Sequence, residues 1–471
     1  MHLIFLLLSC VNPTNTTSNI STSIAEYDVI IVGGGASGLA TGKRLLELGI
    51  TPLILEKESE LGGAGIHAGR FLGVATELQR AQGIEDSIEF ALEEWEDITG
   101  SMPNEHIESF LQETDATLSW IESFGVEFTT LQRDIGSGSI PRIHTLSTDT
   151  PHPLQLLITE LQLHSLTSVS VSNISYKENI FTIETNLKEF TTYNIVLATG
   201  GFARNETIVS QHVPNIESFD WHMEAWSGMT GDAIAWLQNL SVPLQNMNHV
   251  GLYTHSVTDA YLGHPEVMIV PALERSLIVN EEGQRVFNEQ KTQSLSGGQI
   301  HLEEGPLYAI FDAPMWDGTF FQGMGYNYAP PLLLNATEYN QLIPIVSAAE
   351  PQNIAAELRM DPSTFSNTLH QYNQGIEQND DAFEKDVTNL FPIQNPPYYA
   401  VPLKLSTGKS FGGARVNAVG QTDIPNMYVV GEAAGFLGTP NAGWGFSGSI
   451  TACYYLGKQV AEQIASQTTT P

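Results

Sequence analysis

The sequence predicts an α/β protein in which one domain is interrupted by a smaller α+β domain, and three observations lead there. A glycine-rich strand–turn–helix–strand unit follows residue 26, alternating strands return at 167–200 and 397–431, and the stretch 245–345 between them is dense in aromatics, Pro and Gly. At 471 residues the chain can bury a large core, and that length suits two domains better than one.

Residues 27–32 (YDVIIV) form a short apolar run with β-branched side chains that ends in a glycine cluster, the pattern of a buried parallel strand. Residues 36–48 carry Leu39, Leu45, Leu46 and Leu48 at helical spacing and are closed by Gly49, and 52–55 read as a second strand ending at Glu56. Residues 85–125 are mainly helical, with Gly125 suited to a C-cap. The segments SVSVSNISY, NIFTIETN and YNIVLATGG alternate as strands, 361–383 turns helical again, and 447–464 reads as a closing helix.

Gly33, Gly35 and Gly38 make a GxGxxG turn between the first strand and the first helix. Glycine there allows a tight turn, lets backbone approach a pyrophosphate, and packs helix on strand, while the helix N-terminus offers free N–H groups to the phosphates. Glu56, at the end of the second strand, stands where a carboxylate binds a ribose hydroxyl. Together these predict a Rossmann-type dinucleotide site. Later elements select FAD over NAD. Glu56-Lys57 leads into the glycine pair Gly62-Gly63, Ala198-Thr199-Gly200 ends a downstream strand, and a strand near the C-terminus ends in Gly431-Glu432, whose carboxylate suits the ribityl chain.

With these segments in view the chain resembles the fumarate reductase/succinate dehydrogenase flavoprotein superfamily, which also contains the 3-ketosteroid dehydrogenases. The matching stretches are YDVIIVGGGASGLA, LILEKESELGG, NIVLATGGF, MTGDAIAW, LIVNEEGQRVFNE, PPYYAVPL, FGGARVN and NMYVVGEAAG, in family order. The resemblance implies an FAD domain over 26–245 and 395–471 with a capping domain over 246–394, and an active site between them. It also places Ser37, Lys57, Asp232, Ser449 and Ile450 at the cofactor. The FAD is expected to be non-covalent, because no histidine precedes the 64–69 turn in the covalent arrangement.

The family's catalytic residues carry over poorly. Gln293 stands where an arginine acid is expected after Arg285-Val286-Phe287-Asn288-Glu289, and Gly445 where an arginine would clamp a carboxylate. Without two arginines a dicarboxylate loses its bidentate partners, so fumarate and succinate are not the expected substrates. Lys409 or Ser410 replaces one family histidine, ahead of Gly412-Gly413, and Tyr253 aligns with another. Asn441-Ala442-Gly443-Trp444-Gly445 is similar to the AGxG stretch of ketosteroid dehydrogenases, where a backbone N–H polarises a ketone. The expected reaction is hydride transfer between flavin N5 and a CH–CH bond beside an activating group. Tyr253 and Lys409 are the proton candidates, His255 is held in reserve, and backbone N–H groups near Gly445 would serve the oxyanion. Arg285 is expected to pack the cap. Trp316, Phe320, Phe321, Tyr326 and Tyr328 could face a neutral ring-bearing substrate or fill the cap core. An amine-oxidase-like flavin oxidase and a non-catalytic binding protein on the same fold remain alternatives.

There is no second GxGxxG for NAD(P)H, no haem motif, and only Cys10 and Cys453, so no iron–sulfur, zinc or CxxC framework exists. Electrons are therefore expected to pass to or from a quinone, a cytochrome or oxygen. Cys453 reads as a core residue. The net charge of −34, from 53 acidic and 19 basic residues, repels phosphate backbones and anionic lipid, which argues against nucleic acid as a partner. Residues 3–8 suit the apolar core of a short signal peptide, and Leu7-Leu8-Ser9-Cys10 resembles a bacterial lipobox followed by the polar tether 12–23 over residues 1–25. Export with a lipid anchor at Cys10 on the cell envelope is the expectation.

Overall fold

The computed structural model describes residues 25–99, 102–133, 138–219, 221–256, 267–291, 295–316, 321–325, 345–435 and 449–468. The lipobox, the tether, Gln293, Phe320, Tyr326, Tyr328 and 441–445 lie outside them, as do the side chains of His255, Phe321 and Ser449.

The first strand, Tyr27–Val32, pairs in parallel with Leu53–Leu55 on one side and Glu189–Leu197 on the other. Ser165–Leu166 extends the sheet beyond Leu53–Leu55, and Met427–Val429 joins the far half of Glu189–Leu197, both in parallel. Ile180–Thr185 and Val171–Lys177 complete a seven-stranded sheet as an antiparallel meander. Val29, Ile30, Ile31, Ile54, Ile195, Val196 and Met427 are all fully buried, as expected for strands covered on both faces. Because five strands run in one direction, their C-terminal ends (Val32, Leu55, Leu166, Leu197 and Val429) share one edge of the sheet. That edge is where ligands bind in open parallel sheets.

The helix Ala36–Glu47 leaves the first strand through the glycine turn, and the closing helix Ser449–Thr468 lies against it. Gly457 permits this approach. A Cβ there would stand 2.8 Å from the Ser37 carbonyl oxygen and 3.0 Å from Thr41 N. The expected helical stretch resolves into Ile88–Thr99, Glu105–Gln112 and Thr114–Glu122, with Gly125 at positive φ just beyond.

A second hydrophobic core, separate from the first, runs from Leu273 to Leu403. It lies beneath a four-stranded antiparallel sheet of Leu277–Val279, Tyr308–Asp312, Tyr398–Pro402 and Val346–Ala348. Helices Pro351–Leu358 and Pro362–Gln378 flank it, the latter capped by Asp361. This corrects the boundary expected at 394. Tyr398–Pro402, within PPYYAVPL, is an inner strand of the cap sheet, and the chain leaves the cap at Leu403. At the other end, Val250–Ser256 pairs with Lys404–Ser410 rather than with the cap sheet, and Lys404–Ser410 also runs parallel to Trp221–Met223. This three-stranded sheet links the two cores.

Arg285 packs the cap, as its sequence context suggested. Its guanidinium binds Glu289 through Nε and Nη2 and Asp381 through Nη1, and Lys385 adds a second cation to Glu289 at 3.1 Å. Every member of this network is buried or nearly so, and all four charges are paired. Trp316 stacks against Phe311 and Tyr399 at ring distances of 5.7 and 4.9 Å, so it belongs to the cap core rather than to a substrate surface.

Candidate functional site: a dinucleotide cleft at the sheet edge

The glycine turn divides its labour. A Cβ on Gly33 would meet the Ala198 carbonyl oxygen at 2.3 Å, and one on Gly38 would meet the Gly33 carbonyl oxygen at 2.0 Å, so both glycines exist for protein packing. A Cβ on Gly35 would meet nothing within 4 Å. Gly35 therefore borders open space at the N-terminus of the first helix, the place a pyrophosphate takes. Gly62 and Gly63 follow directly alongside: Gly62 N donates to the Gly34 carbonyl at 2.8 Å, and Gly35 bridges Gly62.

Glu56 is buried, with Oε2 accepting from Gly34 N at 2.7 Å and Oε1 from Glu58 N at 2.8 Å. Burial pushes its carboxyl above the usual range, while these two N–H donors oppose the shift. A carboxylate oxygen has more than one lone pair, so both oxygens can still accept a ribose hydroxyl. Lys57 and Asp232, expected separately at the cofactor, meet each other. Lys57 Nζ lies 2.9 Å from Asp232 Oδ2, 2.6 Å from Thr230 Oγ1 and 2.9 Å from the Gly228 carbonyl. The pair ties the end of the second strand to the start of the helix Asp232–Asn239.

On the other flank, Ala198 N donates to the Val32 carbonyl and leads into Thr199, whose Oγ1 is buried without a partner among the described residues. Thr451 Oγ1, in the first turn of the closing helix beside the buried Ile450, is in the same condition. Most buried hydroxyls in proteins find partners, and a polar ligand at this edge would offer one to each of these two. Ser37 is buried in the first turn of its helix, where Gly431 approaches it closely: a Cβ on Gly431 would stand 2.6 Å from Ser37 Oγ.

Glu432 follows Gly431. The residue as a whole is half-buried, and its carboxyl lies deep in the molecule beside Gly201 and Ser410. Burial pushes it up to about 7, opposed by the Lys409 charge and by a 3.4 Å hydrogen bond from Ser410 N. Cys453 lies near the same carboxylate, and burial pushes its thiol up to about 12, which leaves it a protonated packing residue and no nucleophile.

Tyr253 and Lys409 sit on the adjacent strands Val250–Ser256 and Lys404–Ser410. Lys409 pairs with Gly251, and Tyr253 pairs with Ser406, 1% exposed and packed on Phe411. One carboxylate that sequence reasoning missed, Glu224, joins them from the strand end after Met223. Its Oε2 accepts the Ser406 hydroxyl at 2.7 Å. No spacing rule points to Glu224; only the pairing of Trp221–Met223 with Leu405–Thr407 brings it in.

Open backbone at Gly35, two unpartnered hydroxyls, buried Glu56 and Glu432 and a capping domain together fit FAD, and the class so defined is that of the FAD-dependent oxidoreductases. A family model described as "FAD binding domain" (FAD_binding_2) matches residues 28–447, and the chain belongs to that family. Among curated proteins it is 28% identical over 433 residues to the NADH:fumarate oxidoreductase of Klebsiella pneumoniae, covering 87% of this chain and 44% of that protein. The chain thus spans less than half of that relative's length. It is also 23% identical over 479 residues to the urocanate reductase of Eggerthella lenta, covering 94% of this chain and 75% of that one. Among solved structures, the 3-ketosteroid delta1-dehydrogenase of Sterolibacterium denitrificans shares the fold, with a TM-score of 0.76 at 16% identity, 94% of this chain and 99% of that one.

Proposed function

We propose that the chain transfers hydride between flavin N5 and a CH–CH bond beside an activating group, on a substrate other than fumarate or succinate. The observation that carries this reading is the strand pair that holds both Tyr253 and Lys409, with the Lys409 charge acting on Glu432. The names of the relatives support it. Fumarate and urocanate each carry a C=C bond conjugated to a carboxyl, and a ketosteroid dehydrogenase acts beside a ketone. Gln293 and Gly445, standing where the resemblance expects arginines, favour a substrate without two carboxylates.

FAD, when bound, supplies the hydride acceptor or donor. The chain does the rest: the Tyr253 phenol and the Lys409 ammonium handle the proton at the neighbouring carbon, and backbone N–H groups near Gly445 hold the developing enolate oxygen. A separate quinone, cytochrome or oxygen exchanges electrons with the flavin. The N-terminal sequence supports export and lipidation at Cys10; palmitate labelling abolished by Cys10→Ala would establish the anchor, and an unlabelled wild type would remove it.

The test of the activity is spectroscopic. Purified protein with bands near about 370 and 450 nm, released as FAD, is next titrated anaerobically with steroid-like enones, enoates and amines. Flavin bleaching by a saturated ketone, or reoxidation of reduced flavin by an enone or enoate, supports the reading. Bleaching by amines with peroxide release would move the protein to the oxidases, and protein that takes up no FAD would make it a binding protein.

A further inference from the structure

The turn after Trp221–Met223 is held from both sides. Glu224 N and Ala225 N both donate to the Thr407 carbonyl, at 2.9 and 3.1 Å, and Arg204 Nη1 bridges the carbonyls of Met223 and Ala225 at 2.9 Å each. The carboxylate between them is therefore fixed by its own backbone as well as by the Ser406 hydroxyl on Oε2. Its other oxygen, Oε1, faces Gly408. A Cβ on Gly408 would lie 2.8 Å from Glu224 Oε1 and 2.5 Å from Tyr253 Cε2. The same Cβ would lie 3.2 Å from Tyr253 Cδ2, so the carboxylate and the edge of the tyrosine ring flank the space that Gly408 leaves open. Gly408 is the residue skipped in the register between Leu252–Thr407 and Gly251–Lys409, a β-bulge, and only its missing side chain lets the two groups share this space.

We infer that Glu224 is the proton-relay residue of Tyr253, an inference that rests on the proton-transferring role proposed for Tyr253 above. A phenol that is 1% exposed cannot exchange its proton with water directly, whereas Glu224 keeps part of its surface accessible. In the oxidative direction the Tyr253 oxygen takes the proton of the substrate carbon as its own O–H proton passes to Glu224, and Glu224 releases it to solvent. The hydride leaves the adjacent carbon with its electron pair for FAD, so one C=C forms as two C–H bonds break. In the reductive direction Glu224 returns the proton to Tyr253. Glu224 acts through the tyrosine and is a positioning residue, not a catalytic one. Arg204, Lys404 and Lys409 are the cations on the segments around the pair, and His222, Glu58, Glu432 and His301, on the helix packed against Val250–Ser256, are other titratable groups there.

The experiment follows the tyrosine itself. In FAD-loaded protein carrying ¹³Cζ-tyrosine, the Tyr253 resonance is the one lost in Tyr253→Phe. Its shift is expected to show an inflection with pH as Glu224 ionises. Glu224→Gln keeps an acceptor oxygen for Ser406 and should abolish that inflection with FAD content unchanged. Gly408→Ala, which wedges a methyl between the groups, should do the same. An inflection that survives in Glu224→Gln belongs to another neighbour, and none in the wild type means no coupling; either overturns the relay. On a substrate found by the anaerobic screen, Glu224→Gln should lower kcat at least about 100-fold with KM changed by no more than about threefold. Undiminished kcat also overturns the relay. A wild type inert to every substrate would remove the proposed activity alone, since the resonance still reports whether the carboxylate and phenol are coupled.

Discussion

Glu432 carries the clearest electrostatic tension in the protein. Its folded-state value of about 7 lies above its ordinary 4.5, so the folded chain binds this proton more tightly than the unfolded chain does. The resulting stabilisation is fully present below the unfolded value and is lost as pH rises through about 7. Cofactor-free protein should therefore lose Tm across that window, and Glu432→Gln should flatten the slope in differential scanning calorimetry. Burial pushes Glu56 up as well, but there two backbone donors oppose the shift. Both of its oxygens accept backbone N–H groups, and Glu56→Gln would turn an amide NH₂ toward one of them. Hydrogen bonds to a charged group contribute about 1.5–3 kcal/mol, so FAD should bind about 10- to 100-fold more weakly, as read by fluorescence titration.

The glycine turn makes its predictions as an element. Gly35→Ala adds a methyl to open space, so the variant should keep its Tm within about 1 °C and yet lose FAD, because the methyl occupies the phosphate's place. Gly38→Ala drives a methyl into the Gly33 carbonyl and should lose about 1–3 kcal/mol of stability along with FAD. Thermal melts with and without FAD separate the two. Elements of this kind were legible because their chemistry is local: the turn, the first helix and the three strands of 171–197 follow from spacing and composition alone. PPYYAVPL was assigned to the wrong side of the boundary because an apolar strand has the same alternation in either sheet. Lys57 and Asp232 are each expected at the cofactor, but their ion pair joins residues far apart in sequence, which no local pattern records.

At the scale of the whole molecule, charge acts everywhere at once. A net −34 spread over one chain repels itself, and added salt screens exposed charges beyond about 8 Å at physiological strength. Tm should rise by a few degrees as NaCl goes from about 0.02 to about 0.5 M, without change in FAD content; a flat response would mean that the acidic residues are already compensated locally. The candidate site is likewise a whole-molecule object. Its cofactor half could be read from the sequence because glycines and terminal carboxylates mark strand ends. Glu224 could not, because Ser406 and Gly408 reach it only through strand pairings across more than 180 residues, and Tyr253 only through its own pairing with Ser406.

The closing helix lies on the first one, and Gly431, next to Glu432, closely approaches Ser37 in the first turn of that first helix. That arrangement sets a clock on biosynthesis. The glycine turn emerges from the ribosome early, but Glu432 and 449–468 are translated only after the entire cap. A nascent chain cannot hold flavin while it is still being made, and a product truncated anywhere in the cap is colourless and exposes the face the last helix should cover. Loading with cofactor thus reports that translation has passed residue 449, and flavin content separates finished molecules from fragments.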